Sequence, residues 1–329
     1  MIKHSKMMFL IAETPLHAGS GGDSVGIVDL PIQRERHTNF PKIEASGLKG
    51  CIREAFEKSN KIISINGQNI NVNNKDIISL IFGPEPENGN NNDHASSIFF
   101  TDARILLFPV KSLKGVFAWI TCPMVLERFR EELKLLKLNN INFDYNFNSL
   151  KNTVPTNSDI LIKESNEVVL EEYTFKIEPK NDTSNIAKFL AEKIFPRPQN
   201  QQANNDIYLF WREKLENNLV ILSDDDFKQF VTTSTEVITR IMIDNTTGVV
   251  KDGALWTEEY LPQDSILYSI VMASPLRLKD ENKGIFKGNN DNEEAKNVIE
   301  FFEKGLPEII QIGGNQTLGK GLTRTQILK

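Results

Sequence analysis

The sequence predicts an α+β fold: a modified ferredoxin-like (RNA-recognition-motif-like) palm that carries a long β-hairpin and is interrupted by an inserted subdomain. Three observations predict it. The first third of the chain reads strand, helix, strand, strand, helix. Residues 235–261 read as two extended runs around Asn245-Thr246-Thr247-Gly248, a hairpin signal. Between them, residues 139–205 turn polar and Asn-rich and contain Pro196-Arg197-Pro198, the composition of an insertion. The chain therefore divides into 1–138 (N-terminal part of the palm), 139–234 (insertion and helical subdomain), 235–262 (hairpin) and 263–329 (C-terminal part of the palm).

The elements follow from local pattern. Residues 7–13 are short, apolar and bounded by Thr14-Pro15, which predicts a buried strand. Ser46 is placed to cap a helix over about 47–58, where Leu48, Cys51, Ile52, Ala55 and Phe56 recur at helical spacing. Residues 61–92 read mostly as a surface loop with one short helix near 76–82. Residues 97–102, 104–108 and 115–121 read as strands, and 123–135 as a helix with Val125, Phe129 and Leu133 on one side. The insertion holds one strand (168–177) and one helix (184–194), and helices follow near 207–216 and 224–230. After the hairpin come an apolar strand at 265–274, an amphipathic helix at 292–304, and a final strand, glycine loop and strand.

Composition excludes several classes. The 329-residue chain has a net charge of −6, which argues against a protein that coats nucleic acid everywhere. A local basic region remains, because Arg34, Arg36, Lys42, Lys49 and Arg53 lie together while Asp224, Asp225 and Asp226 lie far downstream. No run is apolar for long enough to span a bilayer, so no membrane partner is expected. MFLIAE lacks a cleavage site and reads as a strand, not a signal peptide. Cys51 and Cys122 are far apart and the four histidines are scattered, so no zinc spacing exists and a reducing cytoplasm fits.

Chemistry concentrates in residues 17–49. His17 opens a glycine run of Gly19, Gly21, Gly22 and Gly26, then Ile27-Val28 lead to Asp29. Gln33, Arg34, Glu35, Arg36 and His37 follow as a mixed-charge patch. Glycines let a backbone approach a ligand closely, and arginines fork onto phosphates. Asp29 alone is open to two readings, an Asx-turn former before Pro31 or a catalytic carboxylate. His17 is open to general-base chemistry or a hydrogen bond within the loop. Lys49 and Arg53 stand one helical turn apart, either solvated or gripping one phosphate backbone. Residues 314–321 nearly spell a nucleotide-binding P-loop. They fail because Gly321 replaces the required hydroxyl and too little chain follows. A glycine turn between strands, or one that also admits RNA backbone near Gly314 and Lys320, remains. Trp256, Glu258, Glu259 and Tyr260 mark the core and rim of the hairpin's far arm.

PLHAGSGG, VDLPIQRERHTNFP and ASGLKG together resemble the RAMP-superfamily backbone subunit of the type III-B CRISPR (Cmr) RNA-guided effector complex. The resemblance is dense at residues 14–57, good at 82–129, 235–261 and 311–321, and fades in the Asn-rich loop and in 139–205. It implies a palm-and-thumb subunit, repeated as a filament along a CRISPR RNA with other Cmr subunits, that meets complementary target RNA in the cytoplasm. It implies that Asp29 is required for cleaving that target, with Mg2+ or Mn2+ recruited by Asp29 and substrate oxygens without a preformed cage. RNA contacts are implied for His17, Gly19, Arg34, Arg36, His37, Lys49, Arg53, Gly314 and Lys320, and a target-side thumb for Trp256, Glu258, Glu259 and Tyr260. Two other readings stand beside it. One is a purely structural RNA-binding backbone. The other is a RAMP-type endoribonuclease that matures CRISPR transcripts, a group that usually relies on histidine without metal. The VDLPIQRERHT run speaks against the second.

Overall fold

The computed structural model describes residues 2–21, 28–84, 94–136, 141–198 and 206–328. It is a mixed α+β structure with two compact units, each assembled from several stretches of chain. The first comprises residues 1–19, 42–104 and 268–327, the second 20–41, 105–267 and 328–329.

In the first unit a sheet runs in the order Ile98–Phe100, Ile266–Ala273, His4–Ala12, Leu322–Ile327, Ile309–Gln311. Met7 to Ala12 are all buried, as their unbroken apolar run predicts. Helix Ala45–Glu57 buries Leu48, Ile52 and Phe56, spaced one turn apart. Phe56 packs on Phe82, Phe301 and Phe302 with ring centroids 5.3, 5.5 and 5.9 Å away, which joins this helix to Lys75–Phe82 and Asp291–Gly305. Ser46 does not cap the helix, which begins before it. Its first-turn Ala45 N–H donates instead to the Asp102 carboxylate at 2.9 Å. A distant carboxylate has replaced the local cap. The expected loop over 61–92 also holds a hairpin, Ile62–Ile65 with Gln68–Asn71. It turns at Asn66 and Gly67, both with positive φ (50° and 76°), so the Asn-Gly pair was the missed signal. Helix Lys75–Phe82 stands where expected, capped by the Asn74 side chain.

In the second unit the sheet order is Glu178–Pro179, Thr153–Val154, Leu219–Ile221, Phe117–Thr121, Ala103–Lys111. Trp119 lies fully buried in it, and its indole N–H donates to the Asp264 carbonyl at 2.8 Å. Helix Pro123–Leu135 starts with proline at its first turn and buries Val125, Leu126, Phe129 and Leu133. Helix Asp224–Thr233 explains the acidic run. Ser223 accepts from the Asp226 N–H, and three aspartates sit at the positive end of the helix dipole. The single strand expected over 168–177 is two, Glu167–Leu170 and Tyr173–Lys176, turning at Glu171 with φ 49°.

The long hairpin is Glu236–Ile243 with Val250–Tyr260, in register from Glu236↔Tyr260 to Ile241↔Leu255, with a register shift before Ile243↔Val250. Asp244 closes its turn by accepting from the Thr246 and Thr247 N–H groups at 2.8 and 3.1 Å. Among the described residues, no helix is long and apolar enough to cross a membrane, and Cys51 and Cys122 are free thiols.

Candidate active site

The hairpin's geometry decides where Asp29 sits. In an antiparallel ladder, alternate residues turn their N–H and C=O away from the partner strand. On the return strand these are Thr257 and Glu259, and both are used by the Asp29 segment. Leu30 N–H donates to the Thr257 carbonyl and the Glu259 N–H donates to the Leu30 carbonyl, each at 3.0 Å. Residues 29–32 thereby lie parallel to the return strand, with Leu30 bridged to Glu258. The Glu259 carboxylate completes the seam by accepting from the Ile32 N–H at 3.0 Å.

Asp29 itself is exposed. Its Oδ2 accepts from the Thr257 N–H at 2.7 Å and from the Thr257 hydroxyl at 2.9 Å. These bonds from Thr257, backbone first, hold the Asp29 carboxyl below the usual carboxylate range. Oδ1 has no hydrogen-bond partner among the described residues. The arrangement is an ionised carboxylate with Oδ2 pinned by Thr257.

Side chains alternate across the same strand. Trp256, Glu258 and Tyr260 share one face with Arg240, which pairs opposite Trp256. Glu258 accepts from the Trp256 indole at 2.9 Å, from Arg240 at 3.2 Å and from the Tyr260 hydroxyl. Burial alone would raise the Glu258 carboxyl, but these donors outweigh it and hold it low. Burial and the neighbouring Glu258 push the Tyr260 hydroxyl up. On the other face Glu259 accepts from Arg34 at 2.5 Å and from the Thr235 hydroxyl at 2.8 Å. Glu258, Glu259 and Tyr260 are thus buried within the chain at the base of the hairpin. Their polar atoms are spent on neighbours that fix the hairpin base.

Arg34 is likewise engaged within the chain. Besides Glu259 it donates to the Asn39 and Val231 carbonyls at 2.9 Å each, and its side chain is 14% exposed. It ties the loop to helix Asp224–Thr233, where Phe40 also meets Phe227 edge-on at 5.1 Å. Arg36 and His37 are exposed beside it. Arg128, absent from the sequence reading, donates to Glu35 at 2.9 Å and lies 3.2 Å from the His37 ring nitrogen.

The remaining candidates belong to the first unit. His17 and the C-terminal glycine loop are in contact: the Gly314 N–H donates to the His17 carbonyl at 3.0 Å. A Cβ on Gly313, which has φ +78°, would lie 2.1 Å from that carbonyl oxygen, so only glycine fits. A Cβ on Gly19 would fall 2.9 Å from the His17 ring. Residues 314–321 form a short 3-10 turn, Gln316–Leu318, between two antiparallel strands, with Lys320 at its exit. On helix Ala45–Glu57, Arg53 is held by Glu57 at 2.7 Å and by the Gly83 carbonyl at 2.9 Å. Lys49 forms no ion pair among the described residues. Burial, then the Arg53 charge, lowers its pKa. Gly22, Gly26 and Ile27 lie outside the described residues. Among the described residues, no three His, Cys, Asp or Glu side chains converge as a metal site. Asp29 fits a metal as a single open carboxylate oxygen, the donor set expected of a hard cation that keeps most of its waters.

The RAMP superfamily signature matches residues 9–324. The chain belongs to the RAMP superfamily. It is 36% identical over 314 residues to the CRISPR system Cmr endoribonuclease Cmr4 of Pyrococcus furiosus, covering 95% of this chain and 92% of that protein. It is 25% identical to the CRISPR system CMR subunit Cmr4 of Saccharolobus solfataricus, covering 98% and 96%. The crystal structure of oligomeric Cmr4 from Pyrococcus furiosus superposes with a TM-score of 0.66 at 30% identity, covering 98% of this RAMP chain and 97% of that one. A chain in the type III-B Cmr-beta complex bound to cognate target RNA shares the fold, with a TM-score of 0.65 at 21% identity.

Proposed function

We propose that this RAMP protein is the CRISPR-RNA-binding backbone subunit of a type III-B effector that cleaves complementary single-stranded target RNA. The observation that carries the reading is the Asp29 carboxylate, exposed and pinned through one oxygen at the base of a long hairpin. Similarity over nearly the whole chain to a protein named as a Cmr endoribonuclease supports it. In this reading the ferredoxin-like palm holds the guide, copies stack along it in the cytoplasm beside other Cmr subunits, and the hairpin is a thumb. The exposed Arg36 and His37, the Lys49–Arg53 face, and the His17–Gly314 loop with Gly19 and Lys320 are the surfaces offered to RNA.

The chemistry follows from the geometry. RNA carries its own nucleophile, the 2′-hydroxyl. A regular duplex holds that oxygen out of line with the leaving 5′-oxygen, and splaying one nucleotide over the hairpin lets them align. Attack forms the O2′–P bond and breaks the P–O5′ bond, the 2′-hydroxyl proton passing to water and the leaving 5′-oxygen taking a proton from water. The products are a cyclic phosphate and a free 5′-hydroxyl. Asp29, ionised and held through Oδ2 by Thr257, supplies a fixed negative charge beside that phosphate. A divalent ion such as Mg2+ or Mn2+, held there by Oδ1, would supply charge neutralisation at the phosphate. Base pairing to the guide, not side chains, would select the sequence.

The test is single-turnover cleavage of labelled complementary RNA by the reconstituted complex, with Asp29→Asn. Assembly and target binding should stay within a few-fold, since binding is spread over many phosphates and base pairs. Cleavage should fall by at least roughly 100-fold, the scale for one positioned electrostatic group. EDTA should abolish wild-type products. Normal cutting by the Asn variant would leave a structural RNA-binding backbone as the function.

A further inference from the structure

We propose that Thr257 is the positioning residue of the catalytic loop: it orients Asp29 and splices the loop to the hairpin. This rests on the catalytic reading of Asp29 given above.

Three features of the geometry carry it. Thr257 grips Asp29 twice at one oxygen, through its N–H at 2.7 Å and its hydroxyl at 2.9 Å. The same hydroxyl also accepts from the Asp29 N–H at 2.9 Å, so side chain and main chain of Asp29 are fixed by one residue. Lastly, the Thr257 main chain continues the seam by accepting from Leu30. A carboxylate at the end of a loop samples several rotamers unless its own hydrogen bonds select one. Here the selection commits Oδ2 to Thr257. Asp29 is exposed, and among the described residues no charged side chain contributes to its environment.

The strand that supplies Thr257 is also the return arm of the hairpin, Val250–Tyr260. Its base is rigid. Glu258 is locked by Trp256, Arg240 and Tyr260 on one face, and Glu259 by Arg34 and Thr235 on the other. Thr257 directly precedes these two locked residues on the strand. The arm that meets the duplex and the carboxylate that meets the phosphate are therefore parts of one mechanical element.

The experiment uses the reconstituted complex with Thr257→Val and Thr257→Ser beside Asp29→Asn. Valine keeps the branched shape and the backbone N–H but removes the hydroxyl. Serine restores the hydroxyl without the methyl. The single-turnover rate at saturating target is measured together with target affinity and the thermal midpoint of the chain. Thr257→Val removes both hydroxyl bonds to Asp29 and should lower the rate by at least roughly tenfold, the lower end for a hydrogen bond to a charged group, and leave affinity and midpoint close to wild type. Thr257→Ser should return the rate to within about two-fold, a residual below the worth of one such bond. A wild-type rate from Thr257→Val, with Asp29→Asn inactive, would overturn the positioning role alone. A Ser variant as slow as Val would also overturn it, because the methyl would then be what matters. An active Asp29→Asn would instead remove the catalytic reading beneath it.

Discussion

Replacing Arg34 with methionine should destabilise the second unit by about 3 kcal/mol in the absence of RNA. The guanidinium donates to Glu259 at 2.5 Å and to two carbonyls at 2.9 Å each. The side chains of the pair are 14% and 7% exposed, so water screens them little. Deleting one partner of such a pair typically costs about 3–5 kcal/mol, because the other charge stays buried. Glu259 keeps the Thr235 hydroxyl and the Ile32 N–H as donors, which places the loss at the lower end. About 3 kcal/mol is roughly a hundred-fold change in the folding equilibrium. For a unit of this size it corresponds to a melting point lower by roughly 6–12 °C. Arg36 is exposed two residues away, and its replacement by methionine should stay within about 0.5 kcal/mol of wild type. The assay is thermal unfolding of the chain followed by circular dichroism, paired with filter binding to single-stranded RNA. Arg34→Met melting with wild type while losing RNA affinity would refute the reasoning and return Arg34 to the RNA surface.

Two further outcomes are expected. Lys49→Ala should weaken guide binding about equally for all sequences and reduce the salt slope by roughly 0.7, the contribution of one single-strand phosphate contact. Arg53→Ala should add less to the slope, since Arg53 is already engaged by Glu57 and Gly83. A double variant with unchanged slope, measured by titration at several salt concentrations, would remove this helix from the site. Replacing residues 245–252 with a short Gly-Ser link should leave the Asp29 seam and the melting point intact, because the seam lies at the hairpin's other end. Its cleavage ladder on a sequencing gel should blur, whereas a sharp ladder would place the wedge elsewhere.

Much of the fold was legible in the sequence. Apolar periodicity placed the strand His4–Ala12 and the helices Pro123–Leu135 and Asp291–Gly305, since each buries a face that its own spacing defines. The hairpin was legible from its turn and flanking runs. Asp29 stood out as the single acid between a glycine run and a basic patch. What local pattern could not give were partners far along the chain. Ser46 looked like a cap, but Asp102 supplies that acceptor from a position 57 residues away from Ala45. Arg34, Glu258, Glu259 and Tyr260 looked like ligand contacts because charged and aromatic residues on a hairpin or loop are usually exposed. Arg34 pairs with Glu259, 225 residues away, while Glu258 and Tyr260 are engaged inside the hairpin by Trp256 and Arg240. Thr257 gave no local signal at all, because its importance comes from which edge of an antiparallel ladder it faces, and that edge is set by register. By itself the sequence determined the elements and the identity of the exposed carboxylate, both of which are short-range or compositional. Only the tertiary structure decided which charges are consumed internally and which residue aims Asp29, because both depend on contacts between segments more than two hundred residues apart.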